Sequence, residues 1–275
     1  MQNLPETRMP NEKSDDTPAA AFKKPASSPA RPVPPPQRES TIASIFWAVI
    51  FAMLIRTFLF EPFNIPSSSM VPNLLIGDFL FVSKFSYGYS AKSIGYGLID
   101  FPGRIAAKLP ERGDVIVFKL PTDPSIDYIK RLIGLPGDRI QMIHGRLYIN
   151  GQMLDRQPLG EMHYSDQNHP DQIFQRYIET LPNGVKHIIV EESDEGPLDN
   201  TGEYIVPPGH YFMMGDNRDN SQDSRVMSAV GFVPYENLVG KADIIFFSLS
   251  DDTQAWEIWK WPFAIRYGRL MQTIR

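Results

Sequence analysis

The chain has no cysteine in 275 residues. A thiol nucleophile, a disulfide framework and any thiolate-ligated zinc or iron–sulfur site are therefore excluded. Histidine is sparse, at five residues, and His144, His163, His169, His187 and His210 form no H-x-x-x-H pair of the zinc-hydrolase kind. The chain also lacks a G-x-S-x-G elbow and any S-x-x-K, so the α/β-hydrolase and penicillin-binding arrangements are missing. The net charge of −5 gives no electrostatic footprint for nucleic acid. Asp216 to Asp223 has the acidic spacing of a calcium loop without its sixth-position Gly or twelfth-position Glu. No metal and no cofactor is expected.

Proline and apolar residues are distributed unevenly. Residues 1–39 hold nine prolines and a single aromatic residue, Phe22, too little apolar surface to offset ordering entropy. This tail is expected to be disordered and cytoplasmic. Ile42 to Ile55 is then apolar except for Ser44, and the run continues past Arg56-Thr57 to Phe60. As a helix, 42–60 would span roughly 28 Å, the thickness of a bilayer core. Residues 40–60 are read as a single transmembrane anchor, with Arg56 placed to snorkel. Lys23, Lys24, Arg31 and Arg38 precede the span, and Lys84 is the first basic residue beyond it. The positive-inside rule puts the remaining 61–275 outside the cytoplasm. No small-x-small site follows the apolar run closely, so the segment reads as a retained anchor.

Short β-rich runs separated by Gly/Pro turns fill the outer part: 78–84, 115–118, 126–133, a hairpin over 140–149 closed by Asn150-Gly151, 211–214 and 244–247. Residues 86–109 read as a long loop, and about 150–208 as a smaller inserted β subdomain. At about 254–275, Trp256, Trp259, Trp261 and Phe263 cluster, and a helix is expected from Pro262 to Ile274, with Phe263, Tyr267, Leu270, Met271 and Ile274 on one face and Arg266 and Arg269 off it. Such a segment either meets a membrane interface or packs on the domain's own core. The fold class is mostly β, behind one transmembrane helix.

Pro66-Ser-Ser-Ser-Met-Val-Pro72 follows the anchor directly. Pro66 and Pro72 keep Ile65 and Val71 out of the α region, so the three serines sit on extended or turning chain. A serine nucleophile needs a base, and with no fitting histidine the remaining base is a neutral lysine. Its pKa must fall by about two units or more through burial or nearby positive charge. Of eleven lysines, Lys130 is the best placed. In a strand it shares a face with Ile126, Tyr128 and Leu132 while Ile129, Arg131 and Ile133 point the other way. Lys84 and Lys119 are weaker candidates.

Four stretches, Glu61–Pro72, Arg112–Phe118, Tyr128–Asp138 and Gly215–Arg225, resemble in order the signature boxes of bacterial type I signal peptidases, the Ser/Lys peptidases of family S26. The central insertion, the C-terminal tail and the single span match less well. The resemblance implies Ser69 as nucleophile and Lys130 as general base. It implies an oxyanion hole from the Ser69 N–H and the Ser67 hydroxyl, and Ser221 as a hydroxyl orienting the lysine. Asp216, Arg131, Arg218, Asp223 and Arg225 would brace the site. The implied partners are signal peptides of secreted preproteins, the lipid bilayer and protein export machinery; the implied place is the bacterial cytoplasmic membrane. A self-processing Ser/Lys protease and a tethered, non-catalytic peptide-binding module remain as other readings of the same residues.

Overall fold

The computed structural model describes residues 41–94, 101–166, 171–250, 253 and 256–274; the tail expected to be disordered lies outside them. The apolar run forms helix α1, Thr41–Phe58, with no buried residue. About 27 Å long at 1.5 Å per residue, it carries apolar side chains into solvent along its whole length, with Ile42, Trp47 and Phe51 all exposed. It stops two residues before the expected end at Phe60. Pro62 cannot donate a helical hydrogen bond, and Phe60 instead pairs with Ser83.

Seventeen strands follow among the described residues. The main sheet contains β1 (Phe60–Asn64), β2 (Asp78–Ser83), β5 (Val115–Lys119), β6 (Asp127–Gly134), β14 (His210–Met214), β15 (Val233–Pro234) and β16 (Leu238–Ser248), in the order β1-β2-β16-β5-β6-β14-β15, with β17 (Gln272–Thr273) on β16. The expected loop 86–109 holds only a two-residue pairing, β3 (Tyr89–Ser90) with β4 (Arg104–Ile105), among its described residues. A four-stranded sheet joins β13 (Tyr204–Ile205), β7 (Arg139–Ile143), β8 (Arg146–Ile149) and β9 (Gln152–Met153). Asn150 and Gly151, both at positive φ, make the tight turn that their sequence predicts. A three-stranded antiparallel sheet, β10 (Asp155–Tyr164), β11 (Gln172–Thr180) and β12 (Lys186–Glu191), occupies most of the stretch read as an insertion.

Aliphatic residues of β2, β5 and β16 fill one core around Met70, Leu74, Leu80, Val117 and Ile245. The three-stranded sheet is fastened to the chain after β1 by Phe174 and Val190 packing on Val71. The fold thus grips the Ser67–Leu75 turn from both sides.

The C-terminal helix expected from Pro262 to Ile274 is not formed. Only Trp261–Ala264 (α2) is α-helical, and Tyr267–Arg269 makes a separate 3-10 turn. Ile265 then turns extended and bridges Leu249, and Met271 takes positive φ before β17. Long-range bonds override the local pattern. The Arg269 guanidinium donates to both oxygens of the buried Asp78 at 3.0 and 2.5 Å and to the Asn73 carbonyl at 2.9 Å. Arg266 donates to the Ile76 carbonyl at 2.8 Å. Of the two alternatives, packing on the domain is the one these arginines take: both lock the turn that follows the serines. Replacing Arg269 by Met leaves a buried carboxylate short of its charged partner, a loss of about 2–3 kcal/mol. Denaturant titration of the detergent-solubilised protein checks this; an unchanged midpoint would show that the pair contributes nothing.

Candidate active site

Ser69 lies five residues past the end of β1, in a turn. The Val71 N–H bonds the Ser68 carbonyl at 3.1 Å and the Leu74 N–H bonds the Met70 carbonyl at 2.9 Å. The Asn217 N–H anchors the Ser69 carbonyl at 3.1 Å. Lys130 sits mid-way along β6, paired with Ile116 of β5. β14 pairs with β6 only over Arg131–Gly134. Among the described residues, no strand covers the other edge of Asp127–Lys130.

The two side chains meet across 61 positions of sequence. Lys130 Nζ donates to Ser69 Oγ at 2.6 Å and to the Ile129 carbonyl at 3.0 Å. Both residues are buried, at 4% and 7% exposure. Burial pulls the Lys130 amine down to about 8; the Asp223 and Asp216 carboxylates draw it back up and Arg225 adds to the lowering. The other two candidate lysines are bound to carboxylates, Lys84 to Glu61 at 2.7 Å and Lys119 to Asp127 at 3.0 Å. Lys130 faces a hydroxyl and makes no ion pair among the described residues.

Ser67 is exposed, with its Oγ 3.4 Å from Ser69 Oγ. The Ser69 N–H donates to nothing among the described residues. Ser68 turns the other way and accepts from the Asn220 amide at 3.0 Å. Ser221 is buried against Gly215, but no hydrogen bond joins it to Lys130, whose amine is held by Ser69 and the Ile129 carbonyl.

Behind the pair lies a dry layer of ion pairs. Arg131, fully buried on the opposite face of β6, holds both oxygens of Asp216 at 2.7 Å and the Gly113 carbonyl at 2.8 Å. Arg218 grips Glu179 of β11 with bonds of 2.9 and 2.5 Å. Arg225 holds Asp223 at 2.9 Å twice, and Asp223 accepts from the Gly215 N–H at 3.0 Å. Burial works against each carboxylate, yet Arg131, Arg218 and Arg225 hold Asp216, Glu179 and Asp223 below the ordinary range. His187 of β12 is buried between Glu179 and Asp216, and burial, aided by Arg131, holds it down to about 4, so it is neutral.

Sequence reasoning missed Asn73, Glu179 and His187. The Asn73 amide donates to Asp216 and to the Ile188 carbonyl, each at 2.7 Å. A polar residue inside Met-Val-Pro-Asn-Leu-Leu-Ile was the one available signal for it. Glu179 and His187 lie in the stretch read as an insertion, and nothing local links them to the site.

The pair opens into a cleft of about 430 Å³ lined by Pro66, the three serines, Ile76, Ile126 to Lys130, Asp166, Asn220 and Gln222. It offers an alcohol beside an amine that readily loses its proton, an unclaimed N–H next to that alcohol, and a bare strand edge.

The family "Signal peptidase, peptidase S26" matches residues 38–247. The chain belongs to this family. Signal peptidase I of Rickettsia typhi is 42% identical over 214 residues, covering 75% of this chain and 79% of that protein. Signal peptidase I of Rickettsia canadensis is 43% identical over 213 residues, covering 74% and 78%. Among solved structures, a signal peptidase I from Enterococcus faecalis is similar at 28% identity and a TM-score of 0.28, over 49% of this chain and 97% of that one.

Gly215 has no room for a methyl group. A Cβ there would lie 2.2 Å from Ser221 Oγ and 2.5 Å from the Ser69 carbonyl. Gly215→Ala is expected to displace Ser69 and lower kcat for peptide cleavage by about a hundredfold, because sub-ångström placement of a nucleophile matters that much. Circular dichroism on the same sample separates this from unfolding. Full activity in the folded variant would contradict the contact.

Proposed function

We propose that Ser69 is the nucleophile and neutral Lys130 the general base of this serine endopeptidase, which removes signal peptides from exported preproteins. The observation that carries the assignment is the 2.6 Å contact between Lys130 Nζ and Ser69 Oγ, two buried side chains in the wall of the cleft. With an amine near 8, roughly a tenth is neutral at pH 7.

The steps follow from the geometry. Neutral Lys130 takes the hydroxyl proton as Ser69 Oγ attacks the scissile carbonyl. The oxyanion is met by the unclaimed Ser69 N–H and by the Ser67 hydroxyl, each such donor contributing about 2.7–4 kcal/mol. Collapse breaks the C–N bond, and Lys130 returns its proton to the leaving amine of the mature chain. Lys130 then takes a proton from a water that attacks the Ser69 ester and returns it to Ser69 Oγ as the C–O bond breaks, freeing the signal peptide's carboxyl end. Asp216, Arg131, Arg218, Asp223 and Arg225 hold the backbone under Ser69 and keep the cation-free lysine surrounded by a neutralised charge layer. Ser221 is placed in the buried wall beside Gly215.

The substrate binds extended, adding a strand to the free edge of Asp127–Lys130 and running along Pro66–Ser69. Ile76, Ile126 and Ile129 crowd this path and favour small residues at the first and third positions before the cut. Helix α1 holds the domain at a bilayer, its N-terminal side cytoplasmic by the charge rule, which raises the effective concentration of a membrane-inserted signal peptide. Trp256, Ile258, Trp259 and Phe263 are exposed and offer a second contact to the lipid interface. The export machinery would deliver the substrate to this membrane face.

Ser69→Ala and Lys130→Met each reduce preprotein cleavage to background. Lys130→Arg also fails, since guanidinium stays protonated; near-normal turnover by Lys130→Arg would refute the general base. The wild-type kcat/KM rises with pH and levels off above the Lys130 titration near 8. A profile flat from pH 6 to 10 would contradict the assignment.

A further inference from the structure

The anchor enters the catalytic domain without a linker. Helix α1 ends at Phe58, the Leu59 N–H closes its last turn on the Ile55 carbonyl at 2.8 Å, and β1 begins at Phe60. The last carbonyls of a helix have no partner within it. Here two of them are capped from the segment just after β2. The Tyr89 hydroxyl donates to the Phe58 carbonyl at 2.7 Å, and the Lys84 N–H donates to the Leu59 carbonyl at 3.0 Å. The Phe58 and Tyr89 rings meet edge to face at 5.9 Å, and those of Phe60 and Phe85 at 5.5 Å.

Charge closes the same joint. Glu61, buried in β1, faces Lys84 at 2.7 Å, and Arg56 of the last helical turn reaches Glu61 from the other side at 3.6 Å. Lys84 is 3% exposed. A buried ammonium is costly to keep unless it is bound on several sides. The mechanism above uses none of these groups.

We propose that Tyr89, Lys84 and Arg56 are positioning residues that clamp the end of the anchor to β1, fixing the height of Ser69 above the membrane surface. The chain from Phe60 to Ser69 is then a rigid spacer of a strand and a turn. A scissile bond fixed to a membrane-inserted signal peptide reaches Ser69 only when that height matches. A free peptide carries no such constraint. This inference rests on the proposed peptidase reading.

Full-length wild type, Tyr89→Phe, Arg56→Gln and Lys84→Met are reconstituted in phospholipid vesicles. Each is assayed on a preprotein inserted in the same vesicles and on a short soluble peptide containing the same cleavage site. Tyr89→Phe removes one exposed hydroxyl and keeps the ring, so it preserves the fold even where Lys84→Met does not. The expected result is peptide cleavage within about twofold of wild type, with preprotein cleavage reduced about tenfold or more as positional advantage is lost. A merely structural role lowers both substrates together. Equal effects on the two substrates, or none on either in Tyr89→Phe and Arg56→Gln, would overturn the clamp. A wild type that cuts neither substrate would overturn the peptidase reading itself, and the clamp with it.

Discussion

A lysine can serve as a base at neutral pH only where its charge is expensive, and burial beside Ser69 makes the charge on Lys130 expensive. Desolvation is the largest influence on that amine, and it prevails although Asp223 and Asp216 act against it. Those carboxylates are neutralised at close range by Arg225 and Arg131. Without the arginines, two bare anions beside Lys130 would restore its proton. The ion pairs therefore serve the site by cancelling charge as much as by bracing backbone. Buried pairs of this kind add little net stability compared with apolar packing, which makes an electrostatic reason for them more economical than a purely structural one.

The same layer ties the three-stranded sheet to the turn that carries Ser69. Glu179 of β11 receives Arg218, Ile188 of β12 receives Asn73, and the Val190 N–H and carbonyl bond the Asp216 carbonyl and the Arg218 N–H, both at 2.9 Å. The sheet also packs Phe174 and Val190 on Val71. A segment that looked peripheral in sequence forms the floor under the Ser67–Leu75 turn. Its removal would expose Arg218 and Asp216 to water and, through them, raise the dielectric around Lys130.

Much of this was legible in sequence where the signal is local. Lys130 stood out because Ile126, Tyr128 and Leu132 alternate with it on a strand, and β6 has that strand, offset by a single residue at its start. The serine turn was legible from Pro66 and Pro72, the anchor from its uninterrupted apolar run, and the mostly β architecture from Gly/Pro spacing. What escaped is non-local. Asn73 finds Asp216 across 143 positions, and Arg218 finds Glu179 across 39, distances over which no periodicity speaks. The C-terminal helix was misread for the same reason. The spacing of Phe263, Tyr267 and Leu270 suits a helix, but the bonds from Arg266 to Ile76 and Arg269 to Asp78 bend that chain around the back of the serine turn. The end of α1 shows the converse: Phe58 to Phe60 is apolar enough to continue a span, and pairing with Ser83 converts it to strand.

The proposed Ser69–Lys130 chemistry depends on one ionisation. Direct titration of the Lys130 ε-amine by nitrogen-15 NMR in the resting, folded protein tests it without reference to turnover. The expected midpoint is about 8, with the signal lost in Lys130→Met. A midpoint near the ordinary lysine value of about 10.4 would mean that the amine is solvated and charged at neutral pH, and would contradict its assignment as the base for Ser69.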